Sequence, residues 1–257
     1  MDLGLAGRTY VVTGGSRGLG RASAEVLVAE GANVVLSSRS QESVDAAVAE
    51  LGDLGAGGVA GLAADNADPA TAGALIALAQ ERFGAVHGAL VSVGGPPPGT
   101  VLGRSDEEWR GAFESVFLGG LRVATTVAEA IEPGQGGSIA LVLSTSAKAP
   151  VTGLGISNGL RPGLAMAAKD LADELGPRDV RVNALLPGRV DTERVRELDA
   201  LSGDPDGSRE RAAAGIPLRR YGRPEEFGRA AAFLLSPAAG YLTGVMLPVD
   251  GGTSRTL

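Results

Sequence analysis

The most constraining feature of this chain is a glycine-bearing turn, Thr13-Gly14-Gly15-Ser16-Arg17-Gly18-Leu19-Gly20. It lies between an apolar run, Tyr10-Val11-Val12, and a helix-patterned stretch from Ala22 to Glu30. A strand that turns on glycines into a helix leaves the first helical N–H groups without intrahelical partners and aims the positive end of the helix dipole at the turn. Glycine lets the backbone turn tightly and come close to a ligand. The combination predicts a phosphate site and, in a strand–turn–helix unit, a dinucleotide pyrophosphate site.

Beyond the turn, apolar runs alternate with helical stretches. The runs are Asn33-Val34-Val35-Leu36, Gly58-Val59-Ala60, Ala89-Leu90-Val91, Ile139 to Leu143, and Val180-Arg181-Val182. Continuous hydrophobic runs suit strands buried on both faces, and the intervening segments, such as Ala70 to Phe83, are long enough for crossover helices, so the pattern predicts an α/β doubly wound parallel sheet. Ser105-Asp106-Glu107-Glu108 has the spacing of a capping box, and Pro224-Glu225-Glu226 reads as the first turn of another helix. Leu201 to Ser208 is rich in turn residues and reads as a loop, and Gly94 to Gly99 as a strand stop or a pocket rim.

Composition narrows the functions open to such a fold. Lys and Arg total 23 against 30 Asp and Glu, a net charge of −7, which argues against nucleic acid as a partner. There is no cysteine, hence no disulfide, thiolate metal site or thiol nucleophile. No apolar run is long enough to span a bilayer, and Met1 to Arg8 lacks a basic, apolar leader pattern; a cytoplasmic protein without membrane attachment is the expectation. The single histidine, His87, precedes the fourth strand and reads as a surface residue. No Ser/His/Asp arrangement and no metal constellation stands out.

The glycine turn resembles the T-G-x-x-x-G-x-G loop of the short-chain dehydrogenase/reductase family at Thr13, Gly14, Gly18 and Gly20. The resemblance, which extends to 3-oxoacyl-(acyl carrier protein) reductase-like members, covers nearly the whole chain. It takes in Asp65 after the third strand, Arg181-Val182-Asn183 leading to Pro187-Gly188-Arg189-Val190-Asp191-Thr192, and Val249-Asp250-Gly251-Gly252. It implies a single Rossmann-like domain over residues 1–257 with a mostly parallel seven-stranded sheet and helices on both faces; the segment at about 191–215 reads as a substrate lid or as a plain connection. The cofactor contacts it implies are Thr13, Gly14, Ser16, Arg17, Gly18, Leu19 and Gly20 in the turn, with Ser38 and Arg39 after the second strand. Asp65 and Asn66 follow the third strand, Ser92 and Gly94 the fourth, and Pro187, Gly188, Val190 and Thr192 the sixth. The second strand ends in Ser37-Ser38-Arg39 without an acid, so nothing repels a 2′-phosphate. Arg39 and Arg17 can form charge-assisted bonds to one, and NADP(H) is the expected cofactor.

The catalytic half departs from the family's pattern. Ser144 matches the serine that polarises the substrate oxygen, but the tyrosine position falls on Ser157, the lysine position on Arg161 and the asparagine position on Val116. Serine lacks an acid form comparable with a tuned phenol, and arginine stays protonated; Arg161 can hold ribose hydroxyls or an oxyanion but does not shuttle a proton. Lys148, four residues past Ser144, is a candidate proton source. The expectation is an NADP(H)-dependent oxidoreductase interconverting a carbonyl and an alcohol on a small organic or acyl substrate. A catalytically silent NADP(H)-binding sensor or subunit, and a non-redox enzyme on the same scaffold, remain open beside it. The resemblance also implies a homodimer or homotetramer formed through the helices spanning Trp109 to Ile131 and Ser157 to Glu174, the latter rich in small residues at Ala165, Ala167 and Ala168.

Overall fold

A computed structural model describes residues 2–255. Seven strands form one sheet: β1 (Thr9–Thr13), β2 (Asn33–Ser38), β3 (Val59–Ala63), β4 (Gly88–Val91), β5 (Gly137–Val142), β6 (Val180–Pro187) and β7 (Met246–Val249). Their order is β3-β2-β1-β4-β5-β6-β7, and every pairing is parallel. The chain winds outward from β1 in one direction and from β4 in the other, leaving a crevice between their carboxyl ends, where doubly wound sheets bind ligands.

Helices cover both faces. On one side lie α1 (Gly18–Ala29), α2 (Gln41–Gly52) and α9 (Pro224–Leu235); on the other lie α3 (Thr71–Phe83), α5 (Gly119–Ala130) and α6 (Gly155–Leu175). The two cores divide the strand residues by the period of two expected of a pleated sheet. Val11 and Val35 face the α3–α5–α6 side, while Tyr10, Val12, Val34 and Leu36 face the α1–α2–α9 side. Tyr10 is fully buried with its hydroxyl donating to Leu235 O at 3.2 Å. The capping box at Ser105 forms as its spacing predicts: Ser105 Oγ accepts from Glu108 N at 3.3 Å and Glu108 Oε2 from Ser105 N at 2.8 Å, opening α4 (Asp106–Ala112). A π-helical stretch, Phe113–Leu118, joins α4 to α5 and carries the buried Val116.

Two sequence expectations need correction. The turn-rich segment Leu201 to Ser208 is a loop only as far as Asp204, where a helix begins. It is the tight connection of a helical hairpin, α7 (Glu193–Ala200) and α8 (Pro205–Gly215), because Asp204 caps α8 by accepting from Gly207 N at 3.0 Å and Pro205 supplies its first residue. His87 is half-buried rather than a surface residue. Its Nδ1 accepts from Thr9 N at 3.0 Å at the amino end of β1, and burial lowers its pKa, which keeps the ring neutral and able to accept. On α6, Ala168 packs entirely into the chain's own core, whereas Met166, two residues earlier, is exposed. No helix among the described residues is long and apolar enough to cross a membrane.

Candidate active site

The site is built at the carboxyl ends of β1, β2, β4, β5 and β6. Its first half is made of backbone. Gly14 sits at φ 60 and Gly18 at φ 58, conformations that a side chain rarely adopts. A Cβ on Gly20 would lie 2.3 Å from Gly14 O, and one on Gly14 would lie 2.7 Å from Ser92 O, so the turn folds back on itself with no room to spare. Thr13 is fully buried; its Oγ1 accepts from Ser92 N at 2.9 Å and donates to Ser92 O at 2.8 Å. Thr13 therefore fastens β1 to the end of β4 behind the turn. Leu19 and Ser16 are partly exposed at the mouth, and no side chain caps the amino terminus of α1.

The end of β2 is drawn against this turn by a bond from Gly15 N to Ser37 O of 2.9 Å, which sets Ser38 and the exposed Arg39 at its flank. Arg39 makes no side-chain hydrogen bond or ion pair among the described residues. Arg17, also exposed, meets Glu193 of α7 at 3.1 Å. Asp65 is exposed after β3 and accepts from Ala67 N at 3.0 Å, while Asn66 is buried against α5, whose Gly119 approaches its carbonyl too closely for any side chain.

The second half is made of side chains. Ser144 follows β5 and caps a 3-10 turn (Thr145–Ala147), its Oγ accepting from Ser146 N at 3.1 Å, which leaves its own proton free to donate. Ser157, in the first turn of α6, is buried with its Oγ 3.0 Å from Ser146 Oγ. Ser146 was not singled out from the sequence, although the hydroxyl-bearing run Ser144-Thr145-Ser146 right after an apolar strand was a visible signal. Arg161, one helical turn beyond Ser157, is 4% exposed; NH1 donates to Val142 O at 2.6 Å and Nε is buried with no acceptor. Burial lowers its pKa to about 10, so it stays a cation near neutrality. Lys148 is half-buried at the end of the 3-10 turn. Gly94, past Ser92 at the end of β4, opens on free space.

After β6, Pro187 is followed by Gly188, which packs against the Asp250 backbone where a Cβ would come within 2.8 Å of its Cα. Val190 is buried and pairs with Gly222 through an isolated bridge, and Thr192 caps α7, its Oγ1 accepting from Val195 N at 3.4 Å, with its methyl facing Gly18. The α7–α8 hairpin is clamped over this end of the sheet. Buried Asp199 accepts from both Tyr221 Oη, at 3.0 Å and 3.1 Å, and Arg189 NH1, at 2.8 Å. Asp191 binds Arg196 and Arg209, each at 2.9 Å, with Arg209 stacked on the Tyr221 ring, and Arg209 is the main cause that lowers the Asp191 pKa to about 2. Arg194 NH2 reaches Pro96 O at 2.8 Å, joining the hairpin to the Gly94–Gly99 segment that the sequence left unassigned. A surface hollow of about 530 Å³ lies between Trp109 of α4, Phe113 of the π-helical stretch and Leu160 of α6.

A glycine turn ending in an uncapped helix, a β2 end without an acid, and a hydroxyl pair next to a buried guanidinium after β5 are features of a Rossmann-like oxidoreductase scaffold. Comparison with known proteins agrees. The family described as enoyl-(acyl carrier protein) reductase matches residues 14–254. Among curated relatives, dehydrogenase/reductase SDR family member 4 of Homo sapiens is 32% identical over 98% of this chain and 90% of its own length. The 2,5-dichloro-2,5-cyclohexadiene-1,4-diol dehydrogenase of Sphingobium indicum is 34% identical over 96% of this chain and 97% of its own. L-sorbose reductase from Gluconobacter frateurii, solved with NADPH and L-sorbose, superposes with a TM-score of 0.95 at 30% identity over 100% of both chains. The chain belongs to the short-chain dehydrogenase/reductase family.

Proposed function

We propose that this protein is a divergent NADP(H)-dependent oxidoreductase that interconverts a carbonyl and an alcohol on a small organic or acyl substrate. The observation that carries the cofactor choice is the Gly15–Ser37 bond, which sets the exposed, acid-free Ser38-Arg39 end of β2 beside the phosphate turn and within the same rim as Arg17. The residues fit the cofactor. The uncapped amino terminus of α1 faces the turn, Gly14 and Gly18 keep the backbone bare, and the buried Nε of Arg161 lacks an acceptor. Bound NADPH supplies the hydride. Arg39 and Arg17 would hold its 2′-phosphate, the first turn of α1 its pyrophosphate, and Arg161 and Ser157 the ribose hydroxyls or the developing oxyanion; Val190 and Thr192 would orient the carboxamide. Ser144, whose proton is free, would donate to the substrate carbonyl oxygen. Ser157 and Arg161 stand in this reading where other members carry tyrosine and lysine, and the proton comes from water, Lys148 or the substrate.

The NADPH-bound structure of L-sorbose reductase supports the cofactor, and the reductase and dehydrogenase relatives support the reaction class. The test is a fluorescence titration with NADPH and NADH at equal salt. Tight NADPH binding that Arg39→Ala weakens by about 10- to 100-fold is expected for the loss of charge-assisted bonds, with NADH unaffected. No binding of either nucleotide would end the proposal. One observation favours a silent, cofactor-binding role instead: the buried Ser146–Ser157 hydroxyl pair and Arg161 offer no acid that titrates near neutrality. Tight NADPH binding without oxidation of NADPH by any of a broad set of ketones and aldehydes would select that role. We also propose that two copies pair through α5 and α6, an idea supported by the exposed Phe113 and Met166 on that side; a monomer by light scattering at micromolar concentration would refute it.

A further inference from the structure

Arg161 is the place where the site is furthest from charge balance. Its guanidinium is buried, its only hydrogen bond goes to the neutral carbonyl of Val142, and its Nε faces no acceptor. Among the described residues no Asp or Glu forms an ion pair with it, although fourteen such pairs form elsewhere in the protein. Ser157, one helical turn before it on α6, carries a neutral hydroxyl that pairs with the hydroxyl of Ser146. A buried charge left unpaired is costly, and the usual remedies, a counter-ion or exposure to water, are both missing.

If NADP(H) lies with its phosphates at the β1–α1 turn and its adenosine end at Arg39, the nicotinamide end must extend over the carboxyl ends of β4 and β5, beside Arg161. The two redox forms present the same ribose hydroxyls there but differ by one charge: the dihydronicotinamide ring is neutral and the oxidised ring is a cation. Hydrogen bonding therefore does not separate the two forms, whereas a fixed cation in a low-dielectric setting does. A site holding an ionisable phenol beside the cation could offset its charge; Ser157, one helical turn from Arg161, cannot form an anion at physiological pH.

We propose that Arg161 is a redox-form selector: its uncompensated buried charge makes the protein hold NADPH and release NADP+, which fits it to run as a reductase. The inference rests on the NADP(H) reading above. Its test is to titrate the wild-type protein at about 0.1 M salt with NADPH, NADP+ and 2′,5′-ADP, which carries the adenosine end without nicotinamide. NADPH is expected to bind roughly tenfold or more tightly than NADP+. Arg161→Met should reduce that ratio to about threefold or less, Arg161→Lys should keep it, and none of the variants should move the affinity for 2′,5′-ADP. Ser157→Asp, which places an acid four residues before the cation on the same helix face, should tighten NADP+ selectively.

Equal wild-type affinity for NADPH and NADP+ would overturn the selector while leaving the cofactor reading intact. An unchanged ratio in an Arg161→Met protein that retains the wild-type melting transition would do the same. Failure of wild type to bind both NADPH and 2′,5′-ADP would remove the cofactor reading and the selector with it. Should Arg161→Met fail to fold, the wild-type ratio together with Ser157→Asp decides the matter.

Discussion

The two halves of the crevice are held in different ways. Around the β1–α1 turn the structure depends on what side chains are missing, since Gly14 and Gly20 pass within contact distance of neighbouring backbone and Gly18 holds a positive φ. Around β5 and α6 it depends on side chains that are present and charged or hydroxylated: Ser144, Ser146, Ser157 and Arg161. A backbone site tolerates almost no change at its glycines and leaves little choice of ligand. A side-chain site can be rewritten residue by residue while the fold stays.

The sharpest way to break this contrast is Gly20→Ala. The added Cβ would sit 2.3 Å from Gly14 O, so the turn must open. NADPH affinity should fall by more than about 100-fold and unfolding free energy by about 3 kcal/mol, read by titration and by urea denaturation. Retention of binding would mean that the turn does not cradle the phosphates. Next comes the clamp over the second half. Asp199→Ala strands the hydroxyl of Tyr221 and the guanidinium of Arg189, and because Arg189 is 40% exposed the cost should be about 2 kcal/mol, a fall in Tm of roughly 4–8 °C. Faster proteolysis within 191–215, with 2′,5′-ADP affinity unchanged, would show that the hairpin is anchored independently of the phosphate turn. The Arg39→Ala titration described above is smaller in its effect on the protein itself and should leave stability untouched.

The smallest effect concerns acid. Asp191 has its pKa lowered from 3.8 to about 2, first by its bond to Arg209, so its stabilisation is fully present above the unfolded value near 4 and disappears as the pH falls through about 2. Measured unfolding free energy should therefore decline over that acid range, and Asp191→Asn should flatten the decline. An identical slope in the variant would show that the hairpin ion pairs add nothing to stability.

The sheet and the phosphate turn were legible because their signals are local. Apolar runs such as Val34-Val35-Leu36 become strands through periodicity alone, and a glycine spacing needs no distant partner to be recognised. The α7–α8 hairpin was not legible because what holds it is distant in sequence: Tyr221 lies 22 residues after Asp199, and Pro96 lies 98 residues before Arg194. His87 was misread for the same reason, as its partner Thr9 is 78 residues away. Ser146 was overlooked because the run Ser144-Thr145-Ser146 does not tell which hydroxyl turns inward until Ser157 comes within 3.0 Å.

What the sequence determined by itself is the order of strands and helices, the glycine-built turn and the absence of an acid after β2, because each follows from backbone sterics, hydrophobic period or residue identity within a few positions. Only the tertiary structure decided that Thr13 bonds to Ser92, that Ser146 joins Ser157, and that Arg161 is buried without a counter-ion. Burial and pairing are properties of the space between elements, and that space exists only once β4, β5 and α6 have packed together.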